Sequence, residues 1–151
     1  MIHLATGIAV RNGRLLMVAS RYANHAQPLW NLPGGRQQPG ELLEETVARE
    51  FAEETGLRVS AGEVAYVSES YDGEHHFLNV TFHVTLGGEI AREADDHVVD
   101  VAWVPLDSVG DRIAVAVVRE PLVAYLNGTL PRRYAGFHRA GVTIEWLSDS
   151  R

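Results

Sequence analysis

Apolar positions along the chain fall into short runs and alternations separated by turn residues. Ile2 to Val10 is apolar and ends at Asn12-Gly13, a pair that tolerates positive φ and marks a hairpin, with Leu15 to Val18 as the return strand. Arg21 to Pro28 is polar and loop-like. Trp30 and Leu32 then flank Asn31 in a short strand that runs into the glycine turn Pro33-Gly34-Gly35. Leu42 to Thr55 carries the clearest helical signal: it lacks internal Gly and Pro, is rich in Glu, Leu and Ala, and follows Pro39-Gly40. Gly56 reads as its left-handed cap, with Leu57 packing back. Val59 to Tyr71 and Phe77 to Leu86 read as strands joined by a polar turn, Asp72-Gly73-Glu74-His75-His76. In the second strand Phe77, Asn79, Thr81, His83 and Thr85 alternate with Leu78, Val80, Phe82, Val84 and Leu86. An acidic loop, Glu89 to His97, leads to a strand from Val98 to Val104 that Pro105 stops. Val115 to Leu126 reads as a second helix that Pro121 kinks or splits. Tyr134–His138 and Val142–Leu147 flank Arg139-Ala140-Gly141 as a C-terminal hairpin.

This order of strands, helix, strands, helix and hairpin predicts an α+β or mixed α/β fold with helices packed on a sheet. Regular βαβα alternation is absent, and Gly34-Gly35 lacks the GxGxxG spacing of a dinucleotide site. The length of 151 residues fits a single domain spanning 1–151, with 134–147 as a hairpin extension.

Composition narrows the chemistry. All 13 basic residues are arginine, and there is no cysteine. A Schiff-base lysine, a P-loop lysine, a thiolate nucleophile, a disulfide and a cysteine-ligated metal are therefore excluded. Twenty acidic residues give a net charge of -7, which argues against a nucleic-acid partner, whose footprint is basic. A small anionic substrate remains compatible if cations bridge the charges. No apolar run approaches the ~20 residues that span a bilayer, so no membrane partner is expected. Met1-Ile2-His3-Leu4-Ala5 lacks the basic start of a signal peptide, and the expected location is cytoplasmic.

The acidic residues are unevenly spread. Glu41, Glu44, Glu45, Glu50, Glu53 and Glu54 crowd the predicted helix and the residue before it. At ~100° per residue, Glu50, Glu53 and Glu54 share one turn on one flank, while Leu43, Val47 and Phe51 form an apolar stripe. Glu44 and Glu45 point elsewhere and suit a solvated face. The flank itself reads either as an ordinary acidic helix or as a metal site. Like charges at this spacing repel by a few tenths of a kcal/mol per pair, and Arg49 is the only nearby offset. A divalent cation would turn that repulsion into coordination, and carboxylates with phosphate oxygens and waters suit Mg²⁺ or Mn²⁺. The adjacent glycine turn offers backbone groups that approach a phosphate closely.

Gly35, five residues, Glu41, seven residues, then Arg49-Glu50-Phe51-Ala52-Glu53-Glu54-Thr55-Gly56-Leu57 resembles the Nudix box, GX5EX7REUXEEXGU, at every fixed position. Phe51 stands where Ile, Leu or Val is usual and remains apolar. Trp30-Asn31-Leu32-Pro33-Gly34-Gly35 also resembles the family's lead-in, and element order and length agree over most of the chain. The C-terminal hairpin has no place in the common core.

The resemblance implies a Nudix fold, an α/β/α sandwich around a mixed sheet. It also implies hydrolysis of a nucleoside diphosphate linked to another moiety. By the same resemblance, Glu50, Glu53 and Glu54 are carboxylate metal ligands and the Gly34 carbonyl is the main-chain ligand. Arg49 orients a glutamate and Glu41 supports the loop–helix junction. The implied cofactor is Mg²⁺, with Mn²⁺ as a substitute. The implied general base is a box glutamate, with Glu53 first, or an acidic residue on a later loop, where this chain offers Asp96 and His97.

Arg21 is a candidate phosphate contact, and Trp30 and Phe77 are candidate base-stacking residues. The adjacent pair His75-His76 fits a turn better than a metal pair. Subgroup signatures for ADP-ribose, dinucleoside polyphosphates and coenzyme A are not matched. The expected substrate is thus a (deoxy)nucleoside triphosphate cleaved to monophosphate and pyrophosphate, with ADP-ribose, dinucleoside polyphosphates or nucleotide sugars as alternatives. A non-catalytic nucleotide sensor is the alternative from another class. A homodimer is a further expectation, because the hairpin would offer a pairing edge.

Overall fold

The computed structural model describes residues 1–90 and 97–141. Two sheets carry the fold. β1 (Ile2–Ile8) lies in the larger one, between β5 (Gly34–Arg36), antiparallel to it, and β7 (His75–Glu89), parallel to it. β6 (Leu57–Asp72) pairs with the other edge of β7, and β9 (Tyr134–Phe137) lies parallel on the far side of β6, giving the order β5-β1-β7-β6-β9. In the smaller sheet β3 (Arg14–Ser20) is central. β8 (Val98–Pro105) lies along one edge of it, and β2 (Val10–Arg11) and β4 (Leu29–Asn31) pair with its two ends.

The Asn12-Gly13 turn forms with both residues at positive φ, 54° and 73°. The strand before it is not one piece, however. At Ala9 the chain leaves the large sheet, and only Val10 and Arg11 join the hairpin with β3. The apolar run does not reveal such a switch, because it continues through Val10, although Ile8 and Ala9 are buried while Val10 and Arg11 are exposed.

Helix α1 (Leu43–Thr55) starts where the Glu45 carboxylate accepts the Leu42 N–H at 2.8 Å, and it ends at Gly56 in the left-handed conformation, φ 73°. Its apolar stripe works as the period predicts. Val47 and Phe51, both fully buried, pack on Ala5, Ala9, Leu16, Val59 and Phe82. Burying each such side chain stabilises by about 1.5–3 kcal/mol. On the opposite side, α2 (Val109–Arg112) and α3 (Ala116–Leu126) bring Val109 and Leu122 against Ile8, Leu15, Met17, Tyr66 and Val104. The sheets therefore lie between α1 and the α2–α3 pair, an α/β/α sandwich as expected.

That arrangement explains the alternation in β7. Phe82, with Val80 and Val84 beside it, faces the α1 core, while Phe77 and Asn79 face the other side of the sheet. It also explains why β3 is buried on every residue from Leu15 to Ser20, since Leu16 serves one core and Leu15 and Met17 the other.

Three expectations change. His75 and His76 are not in a turn: they open β7, because Asp72 pairs with His75 and only Gly73 and Glu74 remain to turn the chain. α3 runs from Ala116 to Leu126 with Pro121 inside it, which overturns the split and leaves the expected kink as the other alternative. Tyr134–Phe137 adds to the free edge of β6 as a parallel strand, and the second arm expected at 142–147 lies outside the described residues.

Candidate active-site cleft

A cleft of about 250 Å³ opens on the face of the large sheet that looks away from α1. One end is formed by Gly34, Gly35 and Arg36 of β5 with Glu54 of α1; the other is formed by Ser70, Asp72, His75, Phe77 and Ala140. β1 supplies Leu4 and Thr6, β6 supplies Tyr66 and Ser68, and the start of α3 supplies Val117 and Val118.

At the first end α1 meets the glycine turn. The N–H of Gly34 donates to Glu54 Oε1 at 2.9 Å. Gly34 has φ +153°, and a Cβ there would lie 2.2 Å from the Ala5 carbonyl oxygen, so only glycine brings the backbone to this position. Gly35 is as tightly placed from the other side: a Cβ on it would lie 2.6 Å from Glu50 Oε1.

Arg49 organises the carboxylates. Its Nε and Nη2 form a two-pronged contact with Glu41, at 2.6 and 3.2 Å. Nη2 also donates to the Arg36 carbonyl at 3.0 Å, tying the helix to β5. Nη1 reaches Glu50 Oε1 at 3.1 Å and Glu53 Oε2 at 3.2 Å. One guanidinium thus offsets three carboxylates, and the Gly34 amide serves the fourth.

Glu41 also accepts the Gln38 N–H at 2.8 Å and the Thr46 hydroxyl at 3.0 Å. The Arg49 hydrogen bonds, helped by those of Gln38 and Thr46, hold the Glu41 carboxyl at about 2, well below the usual range. Arg49 is shifted the other way, upward, chiefly by its hydrogen bond to Glu41. Glu41 therefore ties the 36–41 loop to the helix.

Glu50 and Glu54 are buried, at 4% and 3% exposure, whereas the Glu53 side chain is 34% exposed. Among the described residues no three acidic or histidine side chains converge as a ready metal cage. The reason is visible in the partners: Arg49 draws Glu50 and Glu53 to itself, and Gly34 draws Glu54. The donor set nevertheless fits a hard divalent cation, since three carboxylates lie within one helical turn beside a backbone that approaches closely enough to exclude any Cβ.

The cleft floor is a hydrogen-bonded polar network. Thr6 Oγ1 meets Thr81 Oγ1 at 2.9 Å and donates to Asn79 Oδ1 at 3.2 Å, while Asn79 Nδ2 donates to Thr81 at 3.0 Å. Burial pushes Tyr66 up to about 12, so it stays a neutral phenol in this floor.

The remaining sequence candidates separate. Phe77 lines the cleft. Trp30 packs against the α2–α3 core, with the Arg112 guanidinium 4.9 Å from its ring centroid, and is not part of the cleft lining. Arg21 is exposed at the end of β3 and also lies outside the lining, although its N–H donates to the His97 carbonyl at 2.7 Å. His97 is buried and lines the cleft. Asp96 lies outside the described residues.

Sequence reasoning missed Ser68, Ser70, Asn79 and Tyr66 as cleft residues. The period-2 alternation already placed Asn79 and Thr81 on one face. What it lacked was the register that sets Val67 opposite Val80 and Ser68 opposite Asn79.

Comparison with known proteins agrees with this architecture. A family model described as the NUDIX domain matches residues 1–126. The chain is 37% identical over 116 residues to a putative mutator protein MutT4 of Mycobacterium tuberculosis, covering 70% of this chain and 44% of that protein. It is 34% identical over 136 residues to a MutT-like protein of Streptomyces ambofaciens, covering 87% of this chain and 82% of that protein. The fold matches the crystal structure of a MutT protein from Bacillus halodurans with a TM-score of 0.73 at 22% identity, over 98% of this chain and 95% of that one. No helix among the described residues is long and apolar enough to cross a membrane.

Proposed function

The chain belongs to the Nudix hydrolase family, and from that premise we propose that it is a Mg²⁺-dependent pyrophosphohydrolase of a nucleoside diphosphate linked to another moiety. The substrate proposed is a (deoxy)nucleoside triphosphate, released as monophosphate and pyrophosphate. The observation that carries the reading is the gathering of carboxylates at one end of the cleft: Glu54 lines it and accepts the Gly34 N–H, Glu50 packs against Gly35, and Glu53 joins them through Arg49.

Glu50, Glu53, Glu54 and the Gly34 carbonyl are the proposed holders of the cation. Side chains turned away from Arg49 and from the Gly34 N–H would free these oxygens to hold it. When bound, the divalent cation supplies neutralisation of phosphoryl charge and a more acidic attacking water. Glu53, the most exposed of the three, is the proposed general base. Arg49 and Glu41 set its position from the helix and the loop. The phosphates lie at the glycine turn, and the nucleoside extends along the floor towards Phe77. The protein is proposed to act in the cytoplasm, as a single domain that pairs into a homodimer, without a nucleic-acid partner.

The test is a substrate panel with Mg²⁺ or Mn²⁺: nucleoside triphosphates, ADP-ribose, dinucleoside polyphosphates and nucleotide sugars, with products identified by mass. Monophosphate with pyrophosphate from a triphosphate supports the reading. A monophosphate from ADP-ribose alone corrects the substrate, and silence across the panel favours a nucleotide sensor.

A further inference from the structure

We propose that residues 134–141, which lie beyond the family match at 1–126, form a wall that selects the part of the substrate remote from the cleaved phosphates. The proposal rests on the nucleotide-hydrolase reading and adds to it a specificity element outside the part of the chain that the family model matches.

The wall is a strand with a tail. β9 runs parallel to β6 in the register Val67 to Tyr134 through Ser70 to Phe137, and the pairing extends beyond both ends. The Val67 N–H donates to the Arg133 carbonyl at 2.9 Å, and the Ala140 N–H donates to the Tyr71 carbonyl at 2.8 Å. That last bond fixes Ala140 beside the end of β6. Ala140 is 9% exposed and lines the cleft with Ser70, Asp72 and Phe77.

Distance places this wall at the substrate's far end. β5, which carries Gly34, and β9 occupy opposite edges of the five-stranded sheet. Four strand spacings of ~4.8 Å separate them by roughly 19 Å, more than a triphosphate alone spans. Hydroxyls of Ser68 and Ser70, the Asp72 carboxylate, the His75 ring, the Phe77 ring and the Ala140 methyl suit a planar group with hydrogen-bonding edges, which is the chemistry of a nucleobase. A side chain larger than Ala140 would shorten that end.

A clasp on the opposite face of the sheet holds the strand. Tyr134 Oη donates to Glu69 Oε1 at 2.6 Å, and Glu69 Oε2 meets His76 Nε2 at 2.5 Å. The His76 ring stacks on Tyr71, with centroids 4.2 Å apart and planes 7° from parallel. β9, β6 and β7 are thereby joined through side chains that do not enter the cleft. Tyr134 and Glu69 act as positioning residues for Ala140.

The experiment compares wild type, Ala140→Leu and Tyr134→Phe, each checked by circular dichroism. Readouts are kcat and KM on the nucleotide panel and binding of AMP and GMP by calorimetry. Ala140→Leu is expected to raise KM about tenfold on the preferred nucleotide, reorder the panel and leave kcat within about threefold. Tyr134→Phe is expected to raise KM about threefold with kcat unchanged, and it decides the matter if Ala140→Leu does not fold. Active wild type with both variants matching it in KM, ranking and monophosphate binding overturns the wall and leaves the hydrolase reading standing. Wild type that hydrolyses nothing overturns that reading; AMP and GMP binding unaltered in the variants then overturns the wall as well.

Discussion

The two ends of the cleft are built in opposite ways. At the Gly34 end, four glutamates and one arginine come from residues 41–54, and they are held by backbone and side chains within hydrogen-bond reach of one another. At the Phe77 end, four of the five contributing residues, from Ser70 to Phe77, sit on the paired ends of β6 and β7, and the fifth, Ala140, reaches them from the segment after β9. Charge-dense chemistry needs fixed groups at fixed separations, and one helix with one turn provides them. Choosing a substrate needs shape, and shape is assembled from strands brought together by register.

The sharpest way to break this comparison is at the first end. Glu53→Gln removes the proposed base and a proposed ligand while keeping the side-chain volume. Turnover is expected to fall about 10²–10⁴-fold, with the order of preferred nucleotides unchanged. Steady-state rates across the panel check this, and activity within a few-fold of wild type would remove Glu53 from the chemistry.

Gly35→Ala tests whether the close approach matters. The added Cβ meets Glu50 Oε1 at 2.6 Å, so the carboxylate or the turn must shift. A displacement of that kind is expected to cost about 10²-fold in kcat/KM, because misplacing a reacting group by ~1 Å has that effect. The thermal midpoint of the variant separates misplacement from unfolding.

Glu41→Gln acts on the frame rather than on the chemistry. Losing a charged hydrogen-bond partner of Arg49 is expected to cost about 1.5–3 kcal/mol of stability. The pH dependence has a definite sign. Glu41 titrates near 2 when folded, below its ordinary value of 4.5. The unfolded chain therefore binds the proton first, and the stability that Glu41 provides is complete above about pH 5 and is lost as pH falls towards 2. Urea titrations between pH 7 and pH 3 should show this slope in wild type and a shallower one in the variant.

His97→Ala is the smallest expected effect. His97 lies on the cleft wall, with its backbone carbonyl committed to the Arg21 N–H. With the base on α1, turnover is expected to stay within about threefold of wild type. A larger fall in kcat that follows a histidine-like pH profile would move the base to the later loop.

The same contrast governs how much could be read from the sequence. The α1 boundaries, its Gly56 cap, the apolar stripe of Val47 and Phe51 and the carboxylate flank were all legible, because a 3.6-residue period converts spacing into geometry. The Asn12-Gly13 turn was legible for the same local reason. The sheet switch at Ala9 was not, since the apolar run continues through Val10 even though Val10 and Arg11 are exposed. The pairing of β9 with β6 joins residues 67 positions apart, and no local pattern encodes it. Trp30 shows the complementary limit: it was a stacking candidate from its residue type, whereas the fold packs its ring against the core and Arg112. His75 and His76 looked like turn residues because polar residues cluster there, but cross-strand pairing with Asp72 and Tyr71 extends the ladder through them.

Binding of Mn²⁺, followed by electron paramagnetic resonance in titrations of wild type and Glu53→Gln, tests the central claim most directly because it needs no substrate. The account predicts saturable binding to wild type that weakens at least about tenfold in the variant, as expected when one carboxylate ligand is removed. Equal binding to both proteins, or none to wild type with a nucleoside monophosphate present, would contradict a metal centre at Glu50, Glu53 and Glu54.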